Sequence, residues 1–191
     1  MASAHAVTRL PLFAGLQPRR FVVIATLCAV FVGALPSPAA AGWLATTIPP
    51  TAAEPGSEAA RVIDLAESKL KARWKFAAIG PTRFDCSGLV FWAFREAGLL
   101  DRIGDKRRGA TGYRNWFTNQ GLRTGPDITK ARAGDILIWG HGKHAGIYIG
   151  DGWAISALVN PYGVRIHRWN KINNRLTDVL HVQVSREAPE S

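Results

Sequence analysis

One thiol in this sequence lies where nucleophilic chemistry would need it. The chain has two cysteines, Cys28 and Cys86. Cys28 falls inside an apolar run, Phe21 to Leu35, that reads as part of an export signal. Cys86 falls in Phe84-Asp85-Cys86-Ser87-Gly88, where a loop meets the expected start of a helix. First-turn amides point outward there, and the positive end of the helix dipole favours thiolate over thiol. The same amides can stabilise the oxyanion of a tetrahedral intermediate. Asp85 can cap the helix, and Ser87 and Gly88 keep the entrance small. The competing reading is a buried, inert cysteine. A lone free thiol in an exported chain nevertheless calls for a reason.

A cysteine nucleophile needs a base. Four histidines lie beyond the leader: His141, His144, His167 and His181. His144 opens the apolar strand His144-Ala145-Gly146-Ile147-Tyr148-Ile149, so a sheet holds its backbone. Gly142 and Gly146 leave room for a helix end to approach it. A third group must orient the imidazole. Gly150-Asp151-Gly152 makes a tight hairpin turn. If Ile149 pairs with Trp153, then Tyr148 faces Ala154, Gly146 faces Ser156 and His144 faces Leu158. Ser156 then shares the His144 face, one diagonal step away, and is the only polar side chain of its strand so placed. His167, on the following strand, is the alternative. A one-residue slip in that strand moves it to the other face, so the choice between Ser156 and His167 stays open. His141-x-x-His144 is too little for zinc, because no further Cys/His pair at ligand spacing follows. No metal and no cofactor are expected.

The elements that must position these groups can be read in outline. Ser57 caps a helix expected to run to about Arg73, with Val62, Leu65, Ala66 and Leu70 at helical spacing. Residues 75–84 read as a loop. A second helix starts near Asp85 and stops at Gly98. A short helix fits Thr111–Asn119 within a basic, glycine-rich stretch. Beyond Gly134 the pattern changes to short strands: Asp135–Trp139, His144–Ile149, Trp153–Leu158, Val164–Trp169 and Val179–Val184. Helices first and strands second predict an α+β domain with an antiparallel meander.

Composition frames the rest. Residues 1–41 combine a basic start, an apolar run and a small-residue Ala39-Ala40-Ala41 end, which is the pattern of a signal peptide. The apolar run has 15 residues, short of the roughly 20 that a membrane span needs, although an uncleaved anchor stays open. Residues 42–56 read as a linker, 57–185 as one domain and 186–191 as a tail. The formal charge is +10, and losing three arginines and no acids with residues 1–41 brings it to +7. A basic exported chain suits anionic wall polymers or lipid headgroups, and a solvated basic face explains the charge equally well. With no recognition motif, nucleic acid is not expected as a partner, and the chain is expected to be a monomer. Secretion, with a periplasm- or wall-facing location, follows from the signal.

Gly80-Pro81-Thr82-Arg83-Phe84-Asp85-Cys86-Ser87-Gly88-Leu89-Val90 resembles the nucleophile segment of the NlpC/P60 family of cell-wall cysteine peptidases. Ala133-Gly134-Asp135-Ile136-Leu137-Ile138-Trp139 resembles its "GD" strand, and His144 to Gly150 its histidine strand. The resemblance covers about residues 58–184, and the two key segments stand 58 residues apart. It implies a papain-like α+β fold, with N-terminal helices packed on an antiparallel sheet of five to six strands. It implies hydrolysis of peptidoglycan stem peptides, usually between D-glutamate and the diamino acid. Cys86 maps to the nucleophile, His144 to the base, and Asp85 and Ser87 to positions that help hold the substrate's amino end. Three departures stand out. Trp74 takes the place of a substrate-binding tyrosine. Ala77-Ala78 replaces two glycines, which should stiffen that loop. The third polar residue, most often His, maps to Ser156, which weakens orientation of His144 or passes the task to His167 or a water. A non-catalytic wall-binding protein and a thiol acyl- or amide-transferring enzyme therefore remain open beside the endopeptidase reading.

Overall fold

The computed structural model describes residues 53–188. The expected signal peptide and most of the expected linker lie outside the described residues. Helix α1 (Glu58–Glu67) is capped by Ser57, whose hydroxyl accepts from the Ala60 amide at 3.1 Å. It ends well before Arg73. Ser68 caps it, Lys71 turns to a positive φ of 71°, and residues 71–72 then bond the backbone of Val164. Pairing with a strand edge overrides the helical spacing that continues to Leu70. The next residues form β1 (Arg73–Trp74), parallel to β2 (Arg83–Phe84), so the expected loop over 75–84 ends in a short strand. Helix α2 (Cys86–Glu96) and helix α3 (Ala110–Asn119) follow close to their predicted places.

The remaining strands are β3 (Arg123–Thr124), β4 (Ile136–Trp139), β5 (His144–Gly150), β6 (Trp153–Leu158), β7 (Gly163–Arg168) and β8 (Leu176–Leu180). They build one antiparallel six-stranded sheet in the order β3-β8-β4-β5-β6-β7. The meander holds for β4 to β7 only. β8 returns to pair with β4, and β3 pairs outside it. β8 runs from Leu176 to Leu180, so it both starts and stops earlier than the expected Val179–Val184. The Val182 amide instead bonds the buried Asp135 carboxylate at 3.0 Å, so a side chain takes over from the ladder.

The sheet is apolar on both faces. Ala145, Ile147, Ile149, Ile155 and Val164 pack with Val62, Ile63, Leu89 and Ala93 of the first two helices in the main core. Leu137, Trp139, Tyr148, Ala154, Leu176 and Val179 form a smaller core on the other face. Burial of this kind supplies the main stabilising term. Residues at both ends of the described stretch also join the domain. Ala53 is buried, and the Glu54 amide bonds the Arg186 carbonyl at 3.0 Å. Arg186 reaches the Asp135 carboxylate at 2.8 Å, so the expected tail begins with a tethered residue.

Candidate active site

Cys86 is the first residue of α2, half-buried and free of any disulfide. Asp85 is the helix cap, with Oδ1 accepting from the Gly88 amide at 2.6 Å. Gly88 has a steric reason: a Cβ there would sit 2.0 Å from the Ala78 carbonyl oxygen. That close approach seats the loop before the nucleophile directly on the first turn. The Ala145 backbone acts to favour the Cys86 thiolate, which puts the thiol near the start of β5, close in sequence to His144.

His144 opens β5, as expected. The hairpin register holds for Tyr148 with Ala154 and Ile147 with Ile155. The expected Ile149–Trp153 pair is displaced, since Trp153 pairs with Gly150 across a bulge. The irregularity is confined to the turn, so Ser156 still lands on the His144 face. Its hydroxyl lies 2.9 Å from His144 Nε2. β7 pairs Ala154 with His167, which brings His167 to the same face, and the Ser156 hydroxyl lies 2.8 Å from His167 Nε2. His167 Nδ1 lies 3.0 Å from the Arg168 carbonyl oxygen. The two candidates for the third group are therefore consecutive links of one chain.

That chain has a direction. A carbonyl can only accept, so His167 Nδ1 carries a hydrogen. Burial first, and then Arg165, holds the His167 pKa below the ordinary histidine range, so its Nε2 is left as an acceptor. The Ser156 hydroxyl donates to it and accepts from His144 Nε2–H. The lone pair of His144 is then on Nδ1, the nitrogen free to take a proton from a thiol. Trp139 walls both imidazoles, with ring centroids 5.5 Å from His144 and 6.0 Å from His167. Its own indole N–H is fixed on the Trp169 carbonyl at 2.9 Å. Gly146 provides the space: a Cβ there would come within 2.9 Å of Ser156 Cβ and of the Ile155 carbonyl oxygen. Gly142 also makes room for a helix, but for α3, since a Cβ would meet Thr111 Oγ1 at 2.3 Å.

The electrostatics differ from the sequence expectation. Burial pushes the Cys86 thiol up, and the neighbouring Asp85 adds to it; the Ala145, Ser87 and Cys86 amides pull the other way without prevailing. Burial, with His167, pushes His144 down to about 4. Helix-start amides alone would favour a thiolate, but desolvation outweighs them here. The resting pair is a neutral thiol beside a neutral imidazole. A groove of about 980 Å³ opens next to His144. Lys71, Lys143, Arg165 and Lys171 line it, and among the described residues no carboxylate does.

A family model for the NlpC/P60 family matches residues 71–181. The chain belongs to the NlpC/P60 family. A probable endopeptidase of Mycobacterium tuberculosis is 30% identical over 115 residues, which are 58% of this chain and 26% of that protein. A probable endopeptidase of Corynebacterium glutamicum is 32% identical over 108 residues, 56% of this chain and 46% of the relative. The chain thus spans less than half the length of these relatives. Among solved structures, NlpC2 from Trichomonas vaginalis superposes with a TM-score of 0.53 at 27% identity, covering 68% of this chain and 48% of that one. The peptidoglycan hydrolase RipB of Mycobacterium tuberculosis shares the fold, with a TM-score of 0.51 at 24% identity over 65% of this chain and 64% of that chain. The α+β architecture expected from the NlpC/P60 resemblance is the one observed.

Against the NlpC/P60 pattern, the remaining expected site residues fall as follows. Trp74 is half-buried on β1, paired with Phe84 and packed against the main core. Ala77 holds a φ of 59°, so this alanine keeps a backbone conformation that favours glycine. Asp85 and Ser87 flank the nucleophile, both buried, with the Ser87 hydroxyl donating to Asp85 Oδ1 at 3.0 Å. His141 is exposed in the turn before β5 and joins no part of the relay. Two residues escaped the sequence reading. In the sequence Trp139 shows only as a strand residue. Arg107, from the glycine-rich stretch, donates to Asp85 Oδ2 at 2.6 Å; no periodicity there signals which basic residue turns inward.

Proposed function

We propose that this domain is a cysteine endopeptidase that hydrolyses amide bonds of peptidoglycan stem peptides, at the bond between D-glutamate and the diamino acid. The observation that carries this reading is the directed relay from the Arg168 carbonyl through His167 and Ser156 to His144, the residue before Ala145, whose backbone acts on the Cys86 thiol. His144 Nδ1 takes the thiol proton as Cys86 Sγ attacks the scissile carbonyl. The Ser156 hydroxyl accepts from Nε2–H throughout and so steadies the imidazolium formed in that step. Amides at the start of α2 are placed to receive the oxyanion. Collapse breaks the C–N bond, His144 returns the proton to the departing amine, and water then hydrolyses the thioester with His144 again as base.

The short Ser156 does not leave His144 unsupported, because His167 extends its reach. This favours an enzyme over a wall-binding protein that has lost its chemistry. The cationic groove beside His144 suits stem peptides, which are rich in carboxylates. Export through the signal-like segment 1–41 would deliver the domain to the wall, where anionic polymers would complement its charge. The test is incubation of isolated wall peptides with the full chain, read by mass spectrometry. New fragments ending at D-glutamate, absent with Cys86→Ala, are expected. No new fragments, or equal cleavage by Cys86→Ala, contradict the reading.

A further inference from the structure

The groove beside His144 serves one side of the reaction only. Its lining includes His144, His167 and residues 171–174, and among the described residues neither Cys86 nor any other part of α2 contributes to it. In the mechanism above, Cys86 and the start of α2 take the acyl half of the substrate, and His144 returns a proton to the departing amine. The groove therefore receives the departing half. Its charge comes from Lys71, Lys143, Arg165 and Lys171, and among the described residues none of the four has an acidic partner. Two of them are tied to the relay. Lys143 directly precedes His144, and its stem packs over Gly140, where a Cβ would meet Lys143 Cδ and Asn174 Oδ1, each at 3.1 Å. The Lys171 amide and His167 Nδ1 both donate to the Arg168 carbonyl, each at 3.0 Å. Both ends of the relay thus carry a groove-lining lysine. An ammonium entering this groove meets like charge and finds no carboxylate, whereas a carboxylate finds unpaired cations.

We infer that the groove, through Lys143 and Lys171, selects stem peptides whose departing diamino acid carries a carboxylate at its far end, as diaminopimelate does, over those that end in a bare ammonium, as lysine does. The inference rests on the endopeptidase reading above and adds to it which diamino acid is cut. Both diamino acids bring an ammonium to the far end, but only diaminopimelate sets a carboxylate beside it. Amidation of that carboxylate leaves the ammonium uncompensated and turns a preferred stem into a disfavoured one.

Three synthetic stem peptides, identical except for diaminopimelate, its far-end amide or lysine as the diamino acid, provide the test. With the full chain at low salt, kcat/KM for the diaminopimelate peptide should exceed that for either of the others by about tenfold or more. The difference should sit in KM and shrink as salt is raised, because Lys143 and Lys171 are exposed and their charges are screened. Lys143→Gln/Lys171→Gln should bring the three peptides within about threefold, chiefly by raising KM for the diaminopimelate peptide. A merely structural defect would lower all three alike, and a ratio left unchanged in this variant overturns the inference. Equal wild-type rates, or a preference for the lysine or amidated peptide, overturn it too. Calorimetric binding of the peptides to the Cys86→Ala chain separates the two readings. Tighter binding of the diaminopimelate peptide without cleavage of any peptide by the wild type sinks the endopeptidase reading alone. Cleavage of all three at equal rates sinks the selection by the groove alone, and binding of none sinks both.

Discussion

Ser156→Ala is the most informative single change to the relay. It removes the oxygen that lies 2.9 Å from His144 Nε2 and 2.8 Å from His167 Nε2, leaving two nitrogens without their partner. During proton transfer the first of these bonds becomes a bond to a charged imidazolium. Hydrogen bonds to charged groups contribute about 1.5–3 kcal/mol. Loss of one should lower kcat about 10- to 150-fold. His167→Ala leaves the Ser156–His144 bond intact and removes a neutral bond behind it. That contributes about 0.5–1.5 kcal/mol, or about 2- to 12-fold in rate. Cleavage of a stem peptide followed by chromatography and mass spectrometry gives kcat and KM for each variant. KM should change little in both, and near-ultraviolet circular dichroism should show the native packing. A Ser156→Ala variant within twofold of wild type, or a His167→Ala variant slower than Ser156→Ala, would rule out this role for the Ser156 hydroxyl.

The pH dependence follows from the same buried groups. His144 must be neutral to act, and it is held down to about 4, so the acid limb of kcat/KM should lie near pH 4 rather than near the ordinary histidine value of 6.5. With the Cys86 pKa pushed up, alkylation by iodoacetamide should rise only above the ordinary thiol range; a plateau already present at neutral pH would reveal a resting ion pair instead. His144 and His167 both have folded pKa values below the unfolded one, so their contribution to stability is complete above 6.5 and is lost as pH falls below it, for His144 toward about 4. Thermal melting across that window, compared with Ser156→Ala/His144→Ala, reads this directly. Gly146→Ala would push a methyl to within 2.9 Å of the Ile155 carbonyl oxygen. Spreading β5 from β6 should cost about 1–3 kcal/mol, lower Tm by about 3–12 °C and slow turnover; an unchanged Tm and kcat would show that the site has slack.

The legibility of this protein in its sequence varies with the range of the interaction. Cys86 and His144 could be read because local signals surround them: a cap and small residues before a helix, and an apolar strand after a turn. Ser156 followed from parity across a two-strand hairpin, and parity survived the displaced Gly150–Trp153 pair because the bulge absorbed the slip next to the turn. His167 could not be placed, since the Val159–Tyr162 connection between β6 and β7 leaves the register undetermined, and one residue decides the face. The return of β8 to β4 was hidden for a related reason. Long-range pairing leaves no mark in local pattern, and Asp135, buried and bonded to Val182, sets where that strand ends. The thiolate expectation failed because a helix start is a local feature, whereas the burial that outweighs it comes from the whole fold.

The proposed mechanism turns on which nitrogen of His144 carries the hydrogen. Two-bond ¹H–¹⁵N correlation spectra of the ¹⁵N-labelled full chain at neutral pH, with His144 assigned by its loss in His144→Gln, report this without any substrate. The relay requires a neutral ring with hydrogen on Nε2 and a bare Nδ1. A hydrogen on Nδ1, or a doubly protonated ring, would contradict it.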